Sequence, residues 1–403
     1  MKAVIEQKWF RWGIVNLCVV ALFGSLMRYK IAYDFPFFEQ KNLLHAHSHF
    51  AFSGWITHML FSGLTLILAK YIGEAQQKKY HWLIALNLLS SFGMLFSFTV
   101  QGYKTVSIIF STLTLFISFA YAWFFIKDSR AMPAKHPSRP WAIMGLLLSA
   151  LSSLGPFFLA YMMASKSINS HYYLGSVYYY LHFQYSGWFF FGSMALVAAH
   201  LPLGAPSLQK YFKVFAFTAI PTFFLSILWA KLPMWLYGIT VAATLIQLYM
   251  WMALLIKFWP VFRQHKSSGY PAWVNLFFIA AAFSLSIKFL LQAISVIPSL
   301  SQLVFGIRPI VIAYLHLVLL GVYSLFLIGY ALSKGYLKAT AMARMFAFGF
   351  LLGVVLNEAF LGIQGFTAFA YIPVPHINGM LLGAALVLLS CAIGLALSQR
   401  KSG

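Results

Sequence analysis

Charge is scarce in this sequence, and acidic charge is almost missing. Only 8% of the 403 residues are charged, and Asp and Glu together number 6. A soluble globular domain carries roughly a quarter charged residues, so a chain this poor in charge cannot cover a water-facing surface. A hydrophobic content of 62% also rules out a disordered chain. The composition therefore excludes the soluble classes.

Cysteine is equally rare. Cys18 and Cys391 both lie in apolar stretches, so the sequence predicts neither a disulfide framework nor a thiolate metal site. The first apolar stretch follows Lys2, Lys8 and Arg11 but lacks a convincing small-residue cleavage site. We therefore expect a retained helix there and not a cleaved signal peptide.

Apolar runs of roughly 20 residues, the length that crosses a bilayer as a helix, are what the sequence has in abundance. They predict an all-α polytopic membrane protein with about twelve transmembrane helices. We expect a single transmembrane domain over residues 1–403. The predicted spans are 12–30, 44–70, 81–103, 105–127, 141–164, 175–200, 211–231, 235–257, 272–296, 308–333, 340–364 and 376–398.

The formal net charge of +22 is a signal of topology. Most of the 28 Lys and Arg flank the predicted spans on the side that holds both termini. Basic residues near helix ends favour the cytoplasmic side. We therefore expect a protein of the inner (cytoplasmic) membrane with N- and C-termini cytoplasmic. The expected surrounding is the lipid bilayer, and nucleic acid is not an expected partner.

A histidine followed five residues later by glycine occurs once in each third of the chain. The pairs are His49 with Gly54, His182 with Gly187, and His316 with Gly321. Each histidine lies near the start of predicted helix 2, 6 or 10, and His376 opens helix 12 on the same side. The spacing predicts a pseudo-threefold bundle of four-helix repeats, approximately 1–134, 135–268 and 269–403.

Ionisable side chains inside a bilayer are costly and usually functional, and imidazole binds haem iron, copper and zinc. The stretch HAHSH supplies His45 and His49 on one helix face and His47 on the other. We expect a b-type haem between helices 2 and 10, held by His316 and by one of these three histidines. Which of the three ligates is left open.

A cavity beside that haem is expected to be lined by His182, Tyr314 and His376, and could hold a gas, a second haem or a metal. For other histidines, including His58 and His200, a hydrogen bond to a neighbouring carbonyl is the simpler interpretation.

Four further polar residues fall inside predicted helices: Glu358 beside Asn357, and Lys288 one turn before Gln292. They fit an interhelical pair or hydrogen bond, or else a proton route or substrate contact.

The helix count and the histidines together resemble the catalytic subunit of the haem–copper oxidase superfamily, which includes cytochrome and quinol oxidases and nitric oxide reductases. The word YLHLVLLGVY is similar to helix 10 of the nitric oxide reductases. The resemblance implies that His316 binds the low-spin haem, and Tyr314 replaces the histidine that binds the high-spin haem. LLHAHSHFAFSGW resembles helix 2, which supplies the second low-spin ligand, matched by His45 or His49.

HFQYSGWFFF is similar to helix 6 of the cbb-type oxidases, where the histidine matching His182 binds copper. Helix 7 of the family carries an adjacent pair of copper-binding histidines, but WAKLPMW here has none. The resemblance therefore implies one low-spin haem and puts copper and the oxygen-reducing centre in doubt. The NnrS-type membrane haem proteins, linked to nitric oxide, are a second resemblance, carried by His47, His49 and Gly54.

These resemblances imply respiratory electron transfer, or the handling of nitric oxide or oxygen, by an oxidoreductase-like chain. The expected partners are a redox subunit, a quinol or cytochrome donor, and a diatomic gas as ligand. One alternative is a secondary transporter, although such folds usually show inverted two-part repeats. Another is a cofactor-free scaffold or assembly subunit, in which unpaired buried histidines would be costly.

Overall fold

The computed structural model describes residues 2–201, 207–265, 269–300 and 307–400. This part of the chain is mostly helical and contains no strand. Eleven of its helices are long and apolar enough to cross a membrane. The tyrosine-rich helix of residues 170–198 runs with them as a twelfth. The predicted all-α polytopic membrane bundle is confirmed.

We number these helices α1 to α12 along the chain. Their bounds are Lys2–Ala32, Gln40–Leu68, Glu74–Gln101, Thr105–Asp128, Ser138–Ala164, 170–198, Gln209–Ala230, Met234–His265, Ala272–Ser295, Arg308–Ser333, Ala341–Phe369 and Ile377–Leu397. We name the two ends of the bundle by their residues. Helices α2, α6 and α10 begin at the histidine end, which contains His49, His182 and His316, and finish at the lysine end, which contains Lys70 and Lys334.

Several helices extend beyond the predicted spans because their first turns are polar. Helix α2 begins at Gln40 and not at residue 44, and α6 begins at Ser170 and not at residue 175. The side chain of Asn169 caps α6 by accepting hydrogen bonds from the backbone N–H groups of His171 and Tyr172. A prediction of helix limits from hydrophobicity alone does not include such a capped polar turn.

Two helices are interrupted close to a proline. Helix α5 changes direction at Ser153, three residues before Pro156. Helix α7 is α-helical only to Thr218 and continues as a 3₁₀-helix from Pro221, because proline has no N–H for an α-helical bond. The change of helix type leaves the carbonyl of Ala219 available to another partner.

A π-helical segment occurs at the same place in α2, α6 and α10. The three segments are Ala51–Thr57, Phe183–Trp188 and Leu317–Ser324. Each begins within two residues of the repeated histidine and contains the repeated glycine. π-Helical turns are rare and are frequent at functional sites. Their recurrence is an observation independent of the spacing in the sequence, and it agrees with a threefold organisation.

Two of the three repeated glycines lie where a neighbouring helix passes closely. A Cβ on Gly187 would lie 3.0 Å from Leu148 Cβ of α5, and one on Gly321 would lie 2.8 Å from Ser284 Oγ of α9. Both contacts are tighter than side chains normally make, so glycine permits these helix approaches.

Tryptophan side chains join the π-helical segments to one another. Trp55 of α2 donates to Ser324 Oγ of α10 at 2.8 Å, and Trp188 of α6 donates to Thr57 Oγ1 of α2 at 3.0 Å. Each donor lies six residues after its repeated histidine, and each acceptor lies eight residues after its own. The two contacts are therefore equivalent in the repeat.

The third contact, from α10 to α6, has a different donor and acceptor. It completes the set of hydrogen bonds that joins the three helices in pairs. Val322 stands where the other two repeats have tryptophan, and the neighbouring Tyr323 of α10 donates instead to the carbonyl of Tyr185 of α6. Helices α2, α6 and α10 thus surround a common centre. Around them, α1 packs against both α2 and α12, so the two ends of the chain meet.

The centre of the bundle is densely packed toward the lysine end. All residues but one of His58–Leu68, all but one of Phe189–Ala198, and Leu325–Leu332 are buried. Burial of these side chains against one another positions the three helices.

Loss of one central hydrogen bond should weaken the bundle. Trp188→Phe removes the indole donor and leaves Thr57 without it, so we expect a loss of about 1–2 kcal/mol of unfolding free energy. Titration of the detergent-purified protein with SDS measures this. The matched control is Trp235→Phe, at a side chain that is 68% exposed. Equal stability of the two variants would contradict the structural role of the Trp188 contact.

Candidate functional site: the histidine end of the central helices

The packing between the central helices loosens at the histidine end. Within Arg308–His316 of α10 no residue is fully buried, and within Ser170–His182 of α6 only Ser176 and His182 are. Within Gln40–Phe50 of α2 the buried residues are all apolar: Leu43, Ala46 and Phe50. The histidines of α2, α6 and α10 therefore lie at the boundary between the densely packed core and a more loosely packed region.

His47 and His316 have matching hydrogen bonds. The Nδ1–H of His47 donates to the carbonyl of Val20 on α1 at 3.1 Å, and that of His316 donates to the carbonyl of Ile312 at 2.8 Å. A carbonyl only accepts, so each ring carries its proton on Nδ1. In the neutral imidazole each Nε2 therefore keeps its lone pair.

Those two Nε2 atoms remain accessible. Among the described residues neither has a hydrogen-bond partner, and neither is shut away from solvent, although both side chains are partly buried. His47 and His316 also lie close enough to interact electrostatically. The structure thus brings together two neutral imidazoles from α2 and α10 with their ligating nitrogens unoccupied.

Arg28 of α1 is a charged group that lies close enough to this pair to interact with it electrostatically. It acts on both His47 and His316. Within the described residues the one ion pair joins Lys79 to Asp128, so Arg28 has no carboxylate partner there. A guanidinium beside two neutral imidazoles is arranged to bind an anionic group. The sequence analysis did not single it out.

His45 and His49 lie on the opposite face of α2, as the helical spacing predicts. His49 Nε2 is hydrogen bonded to the hydroxyl of Tyr103 at 2.7 Å, and its ring stacks on Phe98 with centroids 4.6 Å apart. The ring of His45 also packs on Tyr103, and its Nε2 is sealed from solvent without a partner. Both imidazoles belong to the contact between α2 and α3. Tyr103 lies in the loop after α3 and is 43% exposed.

His182 is sealed in the bundle, with 1% of its surface exposed. Its Nε2–H donates at 3.0 Å to the carbonyl of Ala219, which the break in α7 makes available. Its Nδ1 is buried without a partner. Its ring neighbours are aromatic, among them Phe183 and Phe223. No group of three His, Cys, Asp or Glu side chains that could hold a metal ion occurs in the described part of the chain.

Of the expected cavity residues, His182 and Tyr314 do not touch directly, but both rings contact Tyr185, that of His182 with centroids 6.5 Å apart. No described contact joins His376 to either of them. The ring of Tyr314 packs on Tyr185, with centroids 6.0 Å apart. His376 is exposed and precedes the first residue of α12 with φ 59°.

The two charged residues inside helices also remain apart. Lys288 of α9 is 2% exposed, acts electrostatically on His182, and lies with Nζ 4.3 Å from the ring centroid of Phe289. One turn on, the side-chain oxygen of Gln292 is buried without a partner. Glu358 of α11 accepts a hydrogen bond from Asn357 at 3.1 Å. No described ion pair joins Lys288 to Glu358.

Comparison with known proteins adds no assignment: no family model matches the chain, and no curated protein matches it. What the described residues define is a membrane-spanning all-α bundle with a paired-imidazole site near one end.

The hydrogen bond to Tyr103 distinguishes a packing histidine from a ligand. Tyr103→Phe removes the partner of His49 Nε2, so the protein should lose about 0.5–1.5 kcal/mol of stability. The thermal midpoint, followed by tryptophan fluorescence, measures the loss. Tyr249→Phe, at a side chain that is 71% exposed, is the control and should melt like the parent. Identical midpoints for the two variants would show that His49 does not depend on Tyr103.

Proposed function

We propose that this chain is an integral membrane haem protein in which His47 and His316 would bind one low-spin b-type haem. The observation that carries the proposal is the pair of accessible Nε2 atoms on α2 and α10. The resemblance of helices 2 and 10 to haem–copper oxidases and nitric oxide reductases supports the same pair of helices.

The hydrogen bonds of the two histidines fit a metal ligand. Histidines that bind metals almost always donate their other ring N–H to a carbonyl or carboxylate, which orients the ring and raises its basicity. Val20 supplies that carbonyl to His47, and Ile312 supplies it to His316. His182 has the reverse arrangement, because its Nε2 is engaged and its Nδ1 is sealed.

Arg28 fits the acidic side of a haem. Haem carries propionate carboxylates, and a guanidinium offers a fork of donors that matches a carboxylate. We propose that Arg28 would bind a propionate and so orient the haem between α1, α2 and α10.

A haem bound by two imidazoles would supply one-electron transfer. His47 and His316 would bind it, the carbonyls of Val20 and Ile312 would orient those two rings, and Arg28 would neutralise a propionate. We therefore propose a role in respiratory electron transfer, with a quinol, a cytochrome or a redox subunit as electron donor. The proposal does not extend to copper, because the copper-position residue His182 already donates its Nε2–H to Ala219.

The orientation belongs to the same proposal. Basic residues favour the cytoplasmic side, so the lysine end would face the cytoplasm and the paired imidazoles would lie in the outer half of the inner membrane. The threefold recurrence of the π-helical segments favours this interpretation over a secondary transporter, for which a two-part inverted repeat is usual.

Single histidine variants identify the ligands. His47→Ala and His316→Ala should each abolish the sharp low-spin α band of the reduced-minus-oxidised spectrum, because each removes one axial nitrogen. His49→Ala should retain the band, since that ring contacts Tyr103 and faces away from His316. A pyridine haemochrome assay on the same samples gives the haem content.

Two results would contradict the ligand assignment. One is loss of the band in His49→Ala with retention in His47→Ala. The other is the absence of haem from protein produced with ample haem. Binding of carbon monoxide to the reduced parent protein would instead reveal an open iron position, and would favour gas handling over electron transfer.

Removal of the guanidinium should loosen the haem without changing its ligands. Arg28→Gln should raise the haem dissociation constant roughly ten- to hundredfold, because a charge-assisted hydrogen bond contributes about 1.5–3 kcal/mol. The rate of haem transfer to apomyoglobin reports this, and the α band should keep its position. Lys104→Gln, at an exposed lysine of the same end, is the matched control. Equal transfer rates for both variants would remove Arg28 from the site.

A further inference from the structure

The lysine end of the bundle carries a cluster of basic residues of its own. Each central helix finishes beside one of them: Lys70 follows α2, His200 follows α6 and Lys334 follows α10. Lys70 and Lys334 both act electrostatically on His200, and Lys70 acts on Lys334. The threefold arrangement of the central helices thus brings three basic side chains together.

His200 is the member of this cluster that lacks partners. Both of its ring nitrogens are shut away from solvent, and neither has a hydrogen-bond partner of normal geometry. Its ring lies 5.0 Å from that of the buried Tyr330. Burial, and then the charge of Lys334, lower its pKa to about 3. His200 is therefore a neutral imidazole, and an enclosed polar ring of this kind is costly until it finds a partner.

No described ion pair gives Lys70 or Lys334 a counter-charge, and Glu74 is the carboxylate nearest to Lys70 in the sequence. Both lysine side chains are exposed. Asp128, near this end, is paired with Lys79, and no ion pair to Lys70 or Lys334 occurs among the described side chains, which do not include that of Glu6. His136 lies near Lys70 and adds no negative charge. The C-terminal dipoles of the three helices favour cations here, but supply only partial charges.

We propose that Lys70, His200 and Lys334 bind a phosphate group, either that of an anionic lipid headgroup or a free phosphate. A phosphate oxygen accepts from an ammonium and from an imidazole N–H, so one tetrahedral anion satisfies all three side chains. The cluster lies at the ends of membrane-spanning helices, which is the depth of lipid headgroups. The site is distant from the paired imidazoles and does not depend on the proposed haem.

The test compares two doubly substituted proteins. Lys70→Gln/Lys334→Gln removes the two ammonium groups, whereas Lys127→Gln/Lys210→Gln removes two exposed lysines of the same end outside the cluster. All substituted lysines are exposed, so folding should be preserved, and Lys70→Arg/Lys334→Arg restores the charge. Each protein is placed in vesicles of phosphatidylcholine, with or without phosphatidylglycerol, and its thermal midpoint is measured. The detergent-purified proteins are titrated with inorganic phosphate in parallel.

The parent, the control and the arginine variant should be stabilised by phosphatidylglycerol, and the glutamine variant should not. Its affinity for the anion should be at least tenfold lower. Stabilisation by inorganic phosphate as well as by lipid would identify a site for any phosphate group, and stabilisation by lipid alone would identify a headgroup site. Equal responses of the Lys70→Gln/Lys334→Gln protein and the control to both probes would overturn the proposal.

Discussion

Each histidine inside the bundle must place two ring nitrogens where water is scarce, and this requirement decides its role. In His47, His58, His182 and His316 one nitrogen donates its proton to a carbonyl. The other nitrogen of the neutral ring keeps a lone pair, which is either sealed among side chains or open to a ligand. In His58 and His182 the Nδ1 lone pair is sealed. In His47 and His316 the Nε2 lone pair is open, and these two rings lie close enough to interact electrostatically.

The three π-helical segments provide the frame for that difference. They lie at the centre, are joined by Trp55, Trp188 and Tyr323, and are followed toward the lysine end by buried helix. Toward the histidine end the packing loosens. One scaffold therefore supplies both a rigid core and an accessible site, and the side chains that differ between the repeats decide what each repeat contributes.

Much of the fold could be predicted from the sequence. Apolar runs gave the helices and their approximate limits, because the length and the hydrophobicity of a membrane helix follow from the bilayer. The spacing of His49, His182 and His316 predicted the helices at the centre. The polar first turn of α6 and the 3₁₀ part of α7 could not be predicted, because they depend on the Asn169 cap and on the backbone at Pro221.

The site could be predicted only in part. Helical spacing correctly separated His47 from His45 and His49, but the choice among them depends on partners from other elements. Val20 lies on α1, far from HAHSH in the sequence, and Tyr103 lies in the loop after α3. Arg28 shows no signal in the sequence beyond its place near the less basic end. Contacts between helices created these distinctions, and the single sequence contains no pattern that records them.

The most direct test of the central claim is the low-temperature electron paramagnetic resonance spectrum of the oxidised protein purified from membranes. Its ferric signal reports both axial ligands of the iron at once. A low-spin spectrum typical of two neutral imidazoles, at one haem per chain, is the result expected for His47 and His316 as ligands. A high-spin ferric signal, or protein without haem despite an ample supply, would contradict it.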